Sequence, residues 1–276
     1  MQAGPQPTAL SAHAQRVVMA RHELEAVTPP EELAVAHSLY ASAFHLAQRA
    51  SGARQGAATV VLTGGVRTPS DSLVGPVADA GYNPYGNTVI VTVGGAPSVR
   101  AEGDERELAD LEIRTRGDEL HIGTKNRIGG GRRHAVTVYV TLPALAKASI
   151  GGSGDMRIDN VQVPRFEAAI GGSGNIEIAS LQIQEGHFAV AGSGNIRAGG
   201  GQAQTTDVSI AGSGDIDLNA VQSRNAEVSV VGSGDVRIRA SDAASVTIMG
   251  SGDVDVAGQA RCSIRKMGSG EVRCEA

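Results

Sequence analysis

An all-β fold, a right-handed parallel β-helix with an α-helical hairpin in front of it, is what the sequence predicts, and three observations predict it. A Gly-Ser-Gly-acid/amide tetrad recurs seven times at intervals of 18 or 20 residues. Apolar residues flank every tetrad at period 2. An outward charge just beyond each tetrad alternates in sign from one copy to the next.

The N-terminal segment, residues 1–62, is different in kind. Residues 10–51 are Ala-rich and contain no glycine. A first helix is expected around Ser11 to Ala26, a break at Pro29-Pro30, and a second helix from Glu31 that carries Leu33, Ala36, Tyr40, Phe44 and Ala47 and ends near Gly52. Residues 63–87, punctuated by proline and glycine and without apolar periodicity, read as a linker.

From residue 88 the chain is β. Thr88–Val93, Leu111–Ile113, Leu120–Ile122 and Val136–Leu142 are strand-like runs separated by glycines, but they lack the tetrad. They are expected to form irregular first coils over 88–145 and to cap the N-terminal end, since a solenoid needs atypical end units.

The array proper spans 146–276. Its tetrads begin at Gly152, Gly172, Gly192, Gly212, Gly232, Gly250 and Gly268. Four residues earlier stand Ala148, Ala168, Phe188, Val208, Val228, Val246 and Ile264; two earlier stand Ile150, Ile170, Val190, Ile210, Val230, Ile248 and Lys266. After the tetrad, Met156, Ile176, Ile196, Ile216, Val236, Val254 and Val272 are followed two residues on by Ile158, Ile178, Ala198, Leu218, Ile238, Val256 and Cys274. Each unit thus has one apolar face that it cannot bury alone, and stacking units about 4.8 Å apart closes those faces into a continuous core. A left-handed hexapeptide helix would show an apolar residue every six positions, which these offsets do not give, and the crossover rule favours right-handed winding. The charges Arg157, Glu177, Arg197, Asp217, Arg237, Asp255 and Arg273 test the register, because only a parallel, in-register stack places them in one attractive column.

Composition excludes several classes of function. With 24 Lys plus Arg against 29 Asp plus Glu, three Phe, four Tyr and no Trp, the chain offers neither the basic field nor the stacking platform of a nucleic-acid binder. Apolar runs such as Ala57 to Leu62 are far shorter than the roughly 20 residues of a membrane helix. The N-terminus as written shows no basic n-region, apolar h-region or cleavage site, so no export signal is read there.

In order along the β part come Val89-Ile-Val-Thr-Val93, Pro97-Ser-Val-Arg-Ala-Glu-Gly-Asp104, Leu120-His-Ile122 and Val136-Thr-Val-Tyr-Val-Thr-Leu-Pro143, which runs into Ala148-Ser-Ile-Gly-Gly-Ser-Gly-Asp155 and its repeats. In this order of features the β part resembles the family of putative autotransporter adhesins known as the head GIN domain. The resemblance covers about residues 88–276. It implies a right-handed β-helix and a bacterial envelope setting, periplasm or cell surface, and no established activity. The missing leader keeps the cytoplasm open.

Side-chain chemistry points away from catalysis. A serine that recurs in every unit belongs to the corner that every unit makes, not to a nucleophile elbow. The seven histidines form no ligand-spaced set, and Gly129-Gly-Gly-Arg-Arg133 is no phosphate loop. In the column Asp155, Asn175, Asn195, Asp215, Asp235, Asp253, Glu271, corner capping is the favoured reading. The weaker one is a hard cation over Asp215, Asp235, Asp253 and Glu271, although the spacing differs from calcium-binding nonapeptides. The outward column Ser149, Ala169, Ala189, Ser209, Ser229 and Thr247, beside Gly151, Gly171, Ala191, Ala211, Val231, Met249 and Met267, forms a flat face uncharged over six rungs, which reads equally as a contact surface for a second subunit, the N-terminal hairpin or a surface glycan or protein, and as a plain solvent face. Cys262 and Cys274 share the inward parity of the last rung, so they either close its mouth as a disulfide or pack as small hydrophobes. No cofactor is expected. The function expected is a non-enzymatic envelope or cell-surface scaffold acting in adhesion or self-assembly. The alternatives are a carbohydrate-active β-helix enzyme and an intracellular polymerising scaffold.

Overall fold

The computed structural model describes residues 58–63, 87–116, 118–124 and 135–275. The helical hairpin expected over 10–51 and residues 64–86 of the expected linker lie outside these residues. Among the described residues, seventeen strands and one short helix, α1 (Glu105–Asp110), make a β-solenoid of about six turns. The regular coils run through β7 (Leu145–Gly152), β8 (Asp155–Gly172), β9 (Asn175–Gly192), β10 (Asn195–Ala198), β11 (Gly201–Gly212), β12 (Ile216–Asp217), β13 (Val221–Gly232), β14 (Val236–Gly250), β15 (Val254–Ala257), β16 (Arg261–Gly268) and β17 (Val272–Cys274), every pairing among them parallel.

A coil has three inward-facing runs. In β8, burial alternates over 156–158, resumes at Val161 and alternates again over 166–170, with two consecutive outward residues at each break. The third run contributes a column that the tetrad alignment had not shown: Phe166, Gly186, Thr206, Ala226, Ala244 and Cys262 stack in register. At Gly186 a Cβ would meet Ile183 and Phe188, both at 2.7 Å, so the neighbouring side chains occupy the space its own would take. Thr206, buried one rung on, donates its hydroxyl to Ser223 at 3.4 Å, which satisfies the polar group the core has taken in.

The tetrad forms the corner. Its first glycine has positive φ in all seven copies, from +129° at Gly268 to +148° at Gly172. Stacking adds a second demand: a Cβ on Gly172 would lie 2.2 Å from the Gly152 carbonyl oxygen, and one on Gly174 only 1.9 Å from that of Gly154. The amides of Ser173 and Gly174 both donate to the Gly152 carbonyl, at 2.8 and 3.1 Å, and the pattern repeats one coil later at Ser193 and Gly194. Each corner is hydrogen-bonded to the one below it.

The apolar columns are buried through the sixth repeat. The last repeat departs from the expectation that every unit buries its set: Ile264 is 47% exposed, and Val272 and Cys274 are only partly covered. No rung lies above them among the described residues, so their inward direction points into an open mouth.

At the other end, spatial order departs from chain order. Strands β2 (Thr88–Val93), β5 (Glu119–Thr124) and β6 (Thr137–Leu142) fall where strands were expected. Strand β1 (Ala58–Thr63) falls where the sequence predicts the end of the N-terminal segment and the start of the linker. It runs parallel between β5 and β7, while β2 runs parallel between β6 and β8. The coil containing β5 and β6 is therefore outermost, and the coil containing β1 and β2 is inserted beneath it. Antiparallel strands β3 (Ser98–Glu102) and β4 (Leu111–Arg116) edge this end, joined by α1. Asp104 caps α1 by accepting the Arg106 amide at 3.0 Å. A reversed edge strand and a helix make a cap that the repeat cannot extend.

Candidate functional site

The outward charge column is a ladder in fact. Arg157, Glu177, Arg197, Asp217, Arg237, Asp255 and Arg273 are Cα partners through all seven rungs. Arg157 pairs with Glu177 at 3.1 Å; Arg197 with Asp217, Arg237 with Asp255 and Arg273 with Asp255 each at 3.9 Å. A second ladder, not singled out in the sequence, stacks Lys147, Glu167, His187, Asp207 and Glu227 on the face that leads into the corner. Lys147 meets Glu167 at 2.7 Å and His187 meets Asp207 at 3.3 Å. Its signal was present as a 20-residue spacing, but its signs do not alternate throughout.

The second ladder also defines the control for a register test. Reversal of Asp217 to Arg sets three cations in succession and is expected to cost about 1–2 kcal/mol, read as a melting temperature lowered by roughly 2–8 °C. Reversal of Glu227, which stacks beside Asp207 and Ser245, supplies Asp207 with an opposite charge and should leave the melting temperature unchanged or slightly raised. Equal losses in the two variants would contradict the ladder.

The acid/amide column has a different role in each direction. Its side chains sit at successive corners, and each hands an oxygen to the next rung: Asp155 Oδ1 accepts the Asn175 amide at 3.0 Å, Asn195 that of Asp215 at 3.0 Å, Asp215 that of Asp235 and Asp235 that of Asp253 at 2.9 Å, and Asp253 that of Glu271 at 2.7 Å. Two amide side chains bridge the early rungs, Asn175 Nδ2 to Asp155 Oδ1 at 2.8 Å and Asn195 Nδ2 to Asn175 Oδ1 at 2.9 Å. These bonds run from coil to coil. Asp215, Asp235, Asp253 and Glu271 stand one per rung, and among the described residues no three His, Cys, Asp or Glu side chains converge as a metal-binding group.

The flat face is continuous. Ser149, Ala169, Ala189, Ser209, Ser229 and Thr247 are in register, followed by Arg265 on the last rung. The neighbouring column, Gly151, Gly171, Ala191, Ala211, Val231, Met249 and Met267, is in register and exposed at every position. Val231, Met249 and Met267 are 50%, 49% and 68% exposed, and with Ile264 they make up the large exposed hydrophobics of the described residues. All four lie toward the C-terminal end. The corner bounds this face on one side and the second charge ladder bounds it on the other.

Cys262 and Cys274 are joined as a disulfide across the final rung, with Cα atoms 6.7 Å apart. Cys262 stacks over Ala244 and Cys274 over Val256, so the bond ties the two strand stacks together at the mouth. Lys266, over buried Ile248, is exposed there.

Comparison with known proteins adds a family and a fold. Residues 85–260 match the family model described as putative auto-transporter adhesin, head GIN domain. Among solved structures, a putative adhesin from Bacteroides fragilis is 20% identical with a TM-score of 0.67, covering 80% of this chain and 93% of its own. A protein from Parabacteroides distasonis described as a putative lipid binding protein is 21% identical with a TM-score of 0.57, covering 81% and 95%. A putative adhesin from Parabacteroides merdae is 15% identical with a TM-score of 0.56, covering 80% and 93%. No curated protein matches the chain. Among the described residues no helix is long and apolar enough to cross a membrane.

Proposed function

Because this chain belongs to the putative auto-transporter adhesin, head GIN domain family, we propose that it is a non-enzymatic scaffold of the bacterial envelope or cell surface that acts through adhesive contact of its flat face. The observation that carries this reading is the pair of in-register outward columns, uncharged over six rungs and edged by an ion-pair ladder. A rigid stack holds such a face flat without ordering any side chain on contact, so little conformational entropy is lost when a partner arrives. Its exposed apolar end supplies the area whose burial drives association. Catalysis would instead call for one place where titratable groups gather and break the repeat.

The test uses cells that carry the full chain. Protease accessibility on intact cells locates the protein, and Ser209→Arg, whose neighbours in its column are the uncharged Ala189 and Ser229, places a cation in the middle of the face. Adhesion to other cells or to a coated surface should fall at least tenfold while the melting temperature stays within about 2 °C of the parent, as expected for exposed substitutions. Undiminished adhesion, or a protein found only in the cytoplasm, would refute the reading.

A further inference from the structure

Charge changes sign at the last rung. Residues 205–260 carry three Arg against eight Asp plus Glu, whereas 261–275 carry four Lys plus Arg against two Glu. In the coils beneath, cations are matched toward the C-terminal end: Lys147, Arg157, Arg165, Arg197 and Arg237 each pair with an acid on the following rung, 18 or 20 residues on. On β16 the cations have no such match. Arg261, Arg265 and Lys266 are exposed, lie over Ala243, Thr247 and Ile248, and form no ion pair or side-chain hydrogen bond among the described residues. Arg273 on β17 ends the alternating ladder on a cation as well, with Asp255 below it and Glu271 beside it.

The backbone of the same rung supplies an independent observation. Strand β16 pairs with β14 and β17 with β15, so the N–H and C=O groups on their outer side are unpaired among the described residues. The Cys262–Cys274 bond holds the two strands together, which keeps this edge ordered before a partner arrives. Ile264, with inward spacing and 47% exposed, adds an apolar side chain that no described residue covers from above.

We propose that this end of the solenoid is a docking edge for an acidic, extended segment of a partner protein, which adds to β16 as an eighth rung. Main-chain hydrogen bonds along a strand edge select an extended peptide, and the side chains beside them select its charge. The strands beneath are stacked in parallel, and a segment added in the same direction keeps their columns. Acids opposite Arg261 and Arg265 then continue the rule that a cation is matched on the following rung. An acid opposite Lys266 gives the ammonium group a partner, where an apolar side chain would bury it unpaired. A β-branched residue opposite Ile264 covers that side chain. The same chemistry disfavours other occupants. The β16 edge of a second copy would bring three more cations to the three already there, and an anionic polysaccharide would meet the cations but leave the row of backbone groups without a strand. The edge lies at the end of the solenoid, and its partner is independent of what the flat face contacts.

The experiment is titration of the full chain with the end-blocked peptide Glu-Val-Thr-Val-Glu-Asp-Val-Gly, whose acids fall opposite Arg261, Arg265 and Lys266 in the parallel register. At millimolar peptide, amide exchange over 261–268 should slow at least tenfold while that of 216–238 is unchanged. Replacing the central Thr-Val of the peptide by Pro-Pro keeps its charge, removes two N–H donors and should abolish binding. Arg261→Glu combined with Arg265→Glu should weaken the acidic peptide at least tenfold, with the melting temperature within about 2 °C of the parent, as expected for exposed substitutions. The charge-swapped peptide Lys-Val-Thr-Val-Lys-Asp-Val-Gly should bind that variant more tightly than it binds the parent. No binding at millimolar peptide, equal binding of the proline peptide, or no recovery with the swapped peptide would each overturn the proposal. So would an anionic polysaccharide that slows exchange over 261–268 as strongly as the peptide does, or a parent that assembles end to end in the absence of peptide.

Discussion

A single methyl group added at Gly214 is expected to cost the array about 3 kcal/mol or more, whereas the same methyl at Gly171 should be neutral or stabilise by about 0.5–1 kcal/mol. The contrast follows from what stands behind each position. A Cβ on Gly214 would lie 2.0 Å from the Gly194 carbonyl oxygen and 2.8 Å from Val190. That carbonyl belongs to the corner directly below, and corners are tied to one another along the stack, the Gly214 amide itself bonding the first glycine of that corner, Gly192, at 3.1 Å. One rung cannot retreat without breaking the stack. At Gly171 the nearest atom is 3.9 Å away, and the substitution only removes freedom from the unfolded chain. Thermal unfolding should show Gly214→Ala melting at least ~6 °C below the parent, with Gly171→Ala at or above it. Similar melting temperatures would mean that the corners do not stack as closely as described.

How much of this is legible in the sequence depends on whether a residue's role is repeated. The inward columns, the corner and the alternating ladder recur at fixed spacing, so seven weak local signals add to one strong one, and the register from Arg157 to Arg273 was readable from sign alone. Roles that occur once were not. Nothing in Ala58–Thr63 distinguishes an inserted strand from the end of the preceding segment, because its partners β5 and β7 lie 56 and more residues away in sequence. Likewise the reversed β3 and α1 serve to stop the repeat, and a device that stops a pattern carries none of its periodicity. The acid column shows an intermediate case. Its recurrence was plain and its capping role was favoured, but the acceptor's partner is an amide 18 or 20 residues on, and that choice between turn and neighbouring coil is geometric. The last rung misled in an instructive way: Ile264 has the inward spacing, yet spacing fixes direction and only a neighbour provides burial.

Reduction of the Cys262–Cys274 bond is expected to loosen the final rung by about 3 kcal/mol, the loop-closure value for a loop of this order, without unfolding the coils beneath it. The effect should be local, because β16 and β17 pair on one side only, with β14 and β15, and much of what they could bury is already in solvent. Amide exchange over 261–274 should accelerate by a hundredfold or more on reduction while that of 216–238 stays within a few-fold. Among the described residues the outer backbone groups of this rung are unpaired, and a free parallel edge is a template for growth. Lys266 is expected to oppose the addition of a further apolar strand. It occupies the column that Ile150, Ile170, Val190, Ile210, Val230 and Ile248 fill in the other copies, and an added apolar rung would have to bury its ammonium group or displace it. Lys266→Ile completes the apolar column and removes that cost, so the variant should grow beyond the size of the parent in light scattering. It should do so most strongly when the disulfide is reduced and the mouth can open to accept a strand. If the variant keeps the parent's size distribution under oxidising and reducing conditions alike, the lysine is not what ends the stack.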